Sequence, residues 1–180
     1  MNKILAIVGM CGSGKSVASD YLENILKYKK VYFGGVTMKK LQEEGLEVNP
    51  ENEKMMRERL RNELGMGAYA KVLLPEIKKL AKDSNVVLDG LYSWTEYKIL
   101  KEEIPNLVLV SITTDKELRY SRLLKREVRP LTNEEAKKRD LSEIENIEKA
   151  PPIAYADYYI YNNGTIDDYI NRLNEIIKEI

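Results

Sequence analysis

Gly9-Met10-Cys11-Gly12-Ser13-Gly14-Lys15-Ser16 follows the apolar run Ile4-Leu5-Ala6-Ile7-Val8 and has the form G-x-x-x-x-G-K-[ST]. An apolar strand running into that octapeptide predicts a strand–loop–helix unit whose loop holds a polyphosphate. Glycines let successive backbone N–H groups point inward at an anion. The Lys15 ammonium reaches the outer phosphates, and Ser16 opens the helix with a hydroxyl able to ligate magnesium. Gly9, Cys11, Gly12, Ser13, Gly14, Lys15, Ser16 and Val17 are therefore the candidate contacts for a bound nucleotide.

Working outward, the 180-residue chain is long enough to bury roughly 70% of its extended surface around one core. A single domain spanning residues 1–180 is expected. Lys plus Arg equals Asp plus Glu at 29 each, so there is no overall basic field for nucleic acid or an anionic membrane, and any anion site has to be local. Cys11 is the one cysteine and histidine is absent. That excludes an intramolecular disulfide, a thiolate metal cluster and imidazole chemistry, leaving carboxylates, lysines and arginines. No run approaches membrane-spanning length and nothing resembles a signal peptide, so a cytoplasmic protein with a small-molecule partner, and neither nucleic-acid nor membrane partners, is expected. Oligomeric state is not legible.

Short β-branched runs at 3–8, 31–33, 86–88, 107–112 and 158–161 alternate with longer amphipathic stretches, the pattern of parallel strands joined by crossovers. Asn85-Val86-Val87-Leu88 and Leu107-Val108-Leu109-Val110-Ser111-Ile112 are apolar without alternation, as expected of strands covered on both faces. Ser93 with Glu96, Thr132 with Glu135 and Thr165 with Asp168 have capping-box spacing and mark three helix starts. Between Pro50 and Lys82 two helices are expected, separated at Gly65-Met66-Gly67. The tyrosines of residues 155–161 read as strand and core packing.

Leu88-Asp89-Gly90 puts a carboxylate at the carboxyl edge of the sheet, where ligands of open α/β folds bind; Asp89 is the second magnesium candidate beside Ser16. Arg119, Arg122, Arg126 and Arg129 recur at spacings of three, four and three, one face of a helix for as long as that helix lasts, and Pro130 breaks it. Arginine in place of lysine favours bidentate phosphate contacts, so residues of about 124–140 read as a lid, with Arg126 and Arg129 the leading candidates and Arg139 a possible third. Arg57 and Arg61 share a face and offer a second anion site, with Arg61 foremost.

Residues 9–16, the Leu88-Asp89-Gly90 strand end, the arginine-bearing helix with its lid, and the run Ala156-Asp157-Tyr158-Tyr159-Ile160-Tyr161-Asn162-Asn163-Gly164-Thr165 together resemble the nucleoside monophosphate kinase and dephospho-coenzyme A kinase group of P-loop proteins. The likeness covers nearly the whole chain. It looks closest to a poorly characterised subgroup, dephospho-coenzyme A kinase-like or adenylate kinase-like, in which a segment like Glu63-Leu64-Gly65-Met66-Gly67-Ala68 also recurs. The resemblance implies a three-layer α/β fold with a five-stranded parallel sheet of order 2-3-1-4-5, ATP as donor with Mg2+, and an acceptor-binding insertion of about 35–67. It also implies adenine near the Asn162–Gly164 loop and the start of the lid helix, with Arg122, Asn163 and Gly164 the candidate contacts, and a small nucleotide-like acceptor beside strand two, for which Arg61, Lys39 and Asp89 are the candidates on this chain; Lys15, Asp89, Arg126 and Arg129 are the catalytic candidates.

Where the family carries Gly-Asp after strand two and an arginine shortly after, this chain reads Phe33-Gly34-Gly35-Val36-Thr37-Met38, so Gly35 stands for the acid and Met38 for the arginine. A hydroxyl acceptor profits from a carboxylate that takes its proton, whereas a phosphate acceptor is already ionised and needs arginine clamps. The expected activity is transfer of the ATP γ-phosphate to a nucleoside monophosphate or dephospho-coenzyme A type of acceptor. The alternative is a slowly hydrolysing regulatory protein with a degenerate acceptor site; a kinase of non-nucleotide metabolites fits less well.

Overall fold

A computed structural model describes residues 2–180. In chain order the elements are β1 (Ile4–Val8), α1 (Lys15–Asn24), β2 (Lys29–Tyr32), α2 (Gly34–Glu43), α3 (Pro50–Leu64), α4 (Ala68–Leu80), β3 (Val86–Asp89), α5 (Trp94–Glu103), β4 (Leu107–Thr113), α6 (Lys116–Leu124), α7 (Asn133–Ile147), α8 (Ala150–Ala154), β5 (Tyr158–Tyr161) and α9 (Ile166–Glu179). The five strands form one sheet of order β2-β3-β1-β4-β5, all parallel. This is the three-layer arrangement implied by the resemblance.

The layering follows from β1, all five residues of which are buried. Ile4, Ala6 and Val8 face a core that includes Leu41 of α2, Met56 and Leu60 of α3, Ile77 of α4 and Leu100 of α5. Leu5 and Ile7 face the other way, onto Ala18 and Leu22 of α1 and Tyr169, Leu173 and Ile176 of α9. A strand with period-two side chains and apolar groups on both faces can be satisfied only between two helical layers. The central position of β1 brings its carboxyl end between those of β3 and β4, with Ile7 in register with Asp89 and Val8 with Ser111.

The three capping boxes form at Ser93, Thr132 and Thr165. The break at 65–67 also forms: Gly65 ends α3 with φ 80°, and a Cβ on Gly67 would lie 2.2 Å from Ile99 Cδ1. Asp157 sets the last strand, its carboxylate accepting from the Leu109 N–H at 2.7 Å while its own N–H donates to the Leu109 carbonyl at 2.9 Å.

Two expectations are corrected. Of the tyrosines of 155–161, Tyr158, Tyr159 and Tyr161 form strand as expected and Tyr158 packs against a core cluster, but Tyr155, Tyr159 and Tyr161 are exposed, because β5 is an edge strand and only Ile160 of it is fully buried; Tyr155 packs edge-on against Trp94. Nor do the four arginines share one helix. α6 ends at Leu124, leaving Arg126 and Arg129 in the following loop, and Arg119 turns inward.

Arg119 joins α6 to α7 through Asp140, with Nη2 donating at 2.6 Å and Nη1 at 3.1 Å to the two carboxylate oxygens, and Nη1 also donating to the Cys11 carbonyl at 2.9 Å. Both side chains are buried beside a small cluster of Cys11, Tyr120, Leu123 and Ala136. Breaking a buried pair strands a charge, which costs about 3–5 kcal/mol. Asp140→Ala is therefore expected to lower the unfolding free energy by about that amount in a urea titration; a loss below about 1 kcal/mol would show that the pair carries little of the α6–α7 connection.

Candidate nucleotide site

The loop between β1 and α1 is shaped by its carbonyl groups. The Met10 carbonyl accepts from Ser13 N–H at 3.2 Å and Lys15 Nζ at 2.9 Å, and Cys11 O accepts from Arg119. Ser13 O accepts from Asn162 Nδ2 at 2.8 Å and Thr114 Oγ1 at 3.0 Å, and Gly14 O from the Tyr169 hydroxyl at 2.9 Å. With these carbonyls drawn onto protein donors, the opposite side of the loop presents N–H groups. Gly14 heads α1 with no side-chain cap, so the first N–H groups of that helix are open to an anion.

The glycines are geometric necessities here. Gly12 and Gly14 have φ of 82° and 100°; a Cβ on Gly12 would meet the Arg119 carbonyl at 2.9 Å, and one on Gly14 the Asn162 amide nitrogen at 2.4 Å. Gly9, at φ 145°, has Ile112 O and Ser13 Oγ within 2.7 Å of the same position. That Ser13 hydroxyl is buried and has no hydrogen-bond partner among the described residues.

Burial pulls the Lys15 ammonium down to about 7 from its ordinary 10.5, and the positive charge of Lys149 adds to the depression; Cys11, Glu143 and Asp89 act against it. Lys149 is itself buried, with Nζ bonded to Glu143 and 4.5 Å from the centroid of the Tyr92 ring. Glu143 also accepts from Arg139 Nε at 3.0 Å. Burial would raise the Glu143 carboxyl, but Lys149 and Arg139 outweigh it and hold it below the usual range.

For magnesium the available donors are hard oxygens: the exposed Ser16 at the head of α1 and Asp89 at the end of β3. Asp89 is held by the Ser19 hydroxyl, which donates to Oδ2 at 3.0 Å and to the Ser16 carbonyl at 3.1 Å, tying the carboxylate to the first turn of α1. A hydroxyl and one carboxylate beside a phosphate site suit magnesium, which keeps several waters and phosphate oxygens. They do not suit a metal that needs three or more protein ligands, and no cluster of that kind occurs among the described residues.

Arg126 stands exposed in the 125–132 loop without an ion pair among the described residues. Arg129, at φ 53°, crosses to α3, where Nη2 meets Glu53 Oε1 at 2.9 Å; Arg57 Nη1 takes the other oxygen at 3.3 Å. The Arg129 contact holds the Glu53 carboxyl below its usual range. Arg61 lies over the Tyr69 ring at 5.7 Å, its buried Nε without a partner among the described residues, and the Tyr69 hydroxyl is 2.8 Å from Thr37 Oγ1. Loop 125–132 and α3 thus face each other across the carboxyl edge of the sheet. Lys39 is exposed on α2 beside Glu43 and joins none of these contacts.

Val17 lies exposed in the first turn of α1. Arg122 Nη1 reaches Thr114 Oγ1 at 3.5 Å, Asn163 Oδ1 accepts from Asp115 N–H at 3.0 Å, and Gly164 is exposed next to it, so this end of the site is a surface open to a base. Two surface hollows, one beside Asn2 and Pro105 and one beside Tyr28 and Lys29, lie at the amino ends of strands. Ligands of open α/β sheets bind at the other end, and the chemistry assembles there.

Sequence reading places Asn162 only in the loop near the base, not as a donor to the phosphate loop, and passes over Thr114, Tyr169, Glu53, Tyr92, Glu143 and Lys149. Thr114 follows the apolar strand run by two residues, and Arg139 with Glu143 has the i,i+4 spacing of a helical ion pair; Tyr169, Tyr92 and the Arg129 contact of Glu53 carry no local signal, because their partners lie in other elements.

A bound polyphosphate would return Lys15 toward its ordinary value, facing Lys149, Cys11, Glu143 and Asp89. At about pH 8.5 the free side chain is mostly neutral, so binding charges it and takes a proton from buffer; at about pH 6 it is charged already and no proton is taken up. Calorimetry of Mg·ATP binding in buffers of different ionisation enthalpy is expected to show uptake approaching one proton at the higher pH and little at the lower. Equal heats in all buffers at about pH 8.5 would contradict the desolvated ammonium.

A family model described as an AAA domain matches residues 5–148. The UPF0200 protein of Sulfurisphaera tokodaii is 36% identical over 183 residues, covering 99% of this chain and 97% of the relative. That of Thermococcus kodakarensis is 32% identical over 182 residues, covering 98% and 97%. Among solved structures, TT1252 from Thermus thermophilus matches with a TM-score of 0.68 over 99% of this chain and 98% of its own at 16% identity. A sugar kinase from Janibacter sp. matches with 0.59 over 99% and 95% at 13% identity. These two likenesses are of fold. The comparisons do not assign the nucleoside monophosphate or dephospho-coenzyme A subgroup. By relatives that share a third of its residues over almost its whole length, and by a family model that matches most of it, the chain belongs to the UPF0200 family, built on a P-loop-bearing AAA domain.

Proposed function

We propose that the protein is an ATP- and magnesium-dependent phosphotransferase acting on a small nucleotide-like acceptor of the nucleoside monophosphate or dephospho-coenzyme A type. The observation that carries this reading is the loop whose carbonyl groups are tied outward to Arg119, Asn162, Thr114 and Tyr169, leaving its amides and Lys15 for phosphate. Magnesium would be held by Ser16 and Asp89, and when bound it supplies charge neutralisation on the β- and γ-phosphate oxygens. An acceptor oxygen attacks the γ-phosphorus, the bond to the β–γ bridging oxygen breaks, and ADP departs with the electron pair.

This chain's residues supply position and charge. Lys15 and the loop amides orient the triphosphate, Arg126 and Arg129 close over it and exclude water, and Arg61 with its unpartnered Nε receives an anionic group of the acceptor. Thr37, Tyr69 and Arg61 make up the acceptor wall where Gly35 and Met38 offer neither acid nor arginine. That composition favours an acceptor that is already ionised. The same Gly35 and Met38 favour the second reading, a slowly hydrolysing regulatory protein, which acceptor-dependent turnover excludes.

A screen for ADP release over nucleoside monophosphates and dephospho-coenzyme A is expected to find at least one acceptor that raises turnover well above basal hydrolysis. Lys15→Ala is expected to weaken triphosphate binding and abolish transfer. Arg126→Ala is expected to slow transfer by about 100-fold with little change in ATP affinity, because a lid contact tightens as charge redistributes. No stimulation by any acceptor, or small and equal effects from both substitutions, would contradict the assignment.

A further inference from the structure

Tyr32 ends β2 directly opposite Asp89 in the parallel register, so the two side chains leave the sheet on one face. That face is the α1 side: Lys30, two residues earlier, pairs with Asp20 at 2.6 Å and Glu23 at 3.2 Å, and Asp89 accepts from Ser19. The Tyr32 ring does not stay there. A Cβ built on Gly34, the first residue of α2, would fall on the Tyr32 Cζ and hydroxyl oxygen and lie 2.8 Å from Cε1; one on Gly35 would lie 3.8 Å from Cδ1, and one on Gly90 3.9 Å from Cε2. The ring therefore crosses the carboxyl end of the sheet from the α1 layer to the head of α2. Gly34 is not among the residues at positive φ, so its missing side chain makes room for the phenol and does not serve the backbone.

What flanks the phenol gives it a use. The side chain is 47% exposed, so about half of it is open to a ligand. Thr37 stands one helical turn after Gly34 on the same side of α2, its Oγ1 2.8 Å from the Tyr69 hydroxyl, and Arg61 lies over the Tyr69 ring. On the other side is Asp89, tied by Ser19 to the first turn of α1. Tyr32 thus lies between the magnesium candidate and the acceptor wall, the interval that an attacking group has to occupy. A phenolic O–H and a guanidinium both donate hydrogen bonds, which matches an oxyanion.

We propose that the Tyr32 hydroxyl is a binding contact of the acceptor, donating a hydrogen bond to a phosphate oxygen of the group that attacks, with Gly34 setting the depth at which it sits. This rests on the kinase reading and narrows it to acceptors that attack through a phosphate. An acceptor phosphate oxygen bonds to the γ-phosphorus, the bond to the β–γ bridging oxygen breaks, and the electron pair leaves with ADP. An ionised phosphate has no proton to lose, so the position beside it calls for a donor, which Tyr32 is, and not for a base. The contact is made before and during transfer alike, so it acts on acceptor affinity more than on the rate of the step.

The test is steady-state kinetics of wild type, Tyr32→Phe and Gly34→Ala with Mg·ATP and, in turn, AMP, CMP, GMP, UMP and dephospho-coenzyme A, with calorimetry of Mg·ATP binding and thermal melts alongside. Wild type is expected to phosphorylate at least one of the monophosphates. Tyr32→Phe removes one oxygen and keeps the ring; it is expected to raise the KM of that monophosphate about tenfold or more, with kcat, the Kd for Mg·ATP and the melting temperature little changed. Gly34→Ala improves helix propensity but lifts the ring, and is expected to raise the same KM with the hydroxyl still present and with no loss of melting temperature. A monophosphate KM within about twofold of wild type in Tyr32→Phe, or turnover with dephospho-coenzyme A alone, overturns the inference and leaves the kinase reading standing. A wild-type protein that turns over none of the five acceptors overturns both.

Discussion

The rest of the structure depends on the outward pull on three carbonyl groups, those of Cys11, Ser13 and Gly14. A backbone polar group taken out of water needs a partner, and a loop that gives its carbonyls to the protein has its amides left for something else. Arg119 from α6, Thr114 after β4, Asn162 after β5 and Tyr169 from α9 all contribute a donor. Elements from across the second half of the chain therefore converge on one turn at residues 10–14, and the parallel order β3-β1-β4-β5 is what places them within reach. The sheet is apolar on both faces for the stability of the layers; its carboxyl edge is polar for the loop.

Above that turn the electrostatics are arranged in two tiers. Lys15 folds back on the Met10 carbonyl, and Lys149 and Arg139 share Glu143, so each of these cations has an acceptor within the protein. The loop after α6 is parked in the same manner, with Arg129 on Glu53 of α3. Arg129 is well exposed, so that contact is a weak one, easily exchanged for an anion. On the proposed function, ligand binding would replace these internal carboxylate and carbonyl contacts by phosphate oxygens.

Much of this was legible in the sequence, for identifiable reasons. Strand positions followed from uninterrupted apolar runs, helix starts from side chains that cap their own N–H groups, and the phosphate loop from a spacing that only glycines at left-handed φ allow. Reading failed where the determinant was not local. The spacing of Arg119, Arg122, Arg126 and Arg129 continues a helical face, but after Leu123 no residue of 124–130 has core to bury, and a helix without a buried face stops. Tyr158-Tyr159-Ile160-Tyr161 reads as core until the topology makes β5 an edge. Lys149 precedes Pro151-Pro152 with no motif around it; its burial depends on Glu143 near the end of α7 and on the Tyr92 ring from a distant part of the chain.

The central claim is that the amides of this turn, and no other surface, receive the phosphates. It is tested most directly by recording the backbone amide NMR spectrum of the labelled protein during addition of a non-hydrolysable Mg·ATP analogue. The account predicts saturable, large shifts at Gly12, Gly14, Lys15 and Ser16, with the amides at the amino ends of the strands unmoved. Shifts centred elsewhere, or an unchanged spectrum at millimolar analogue, would contradict it.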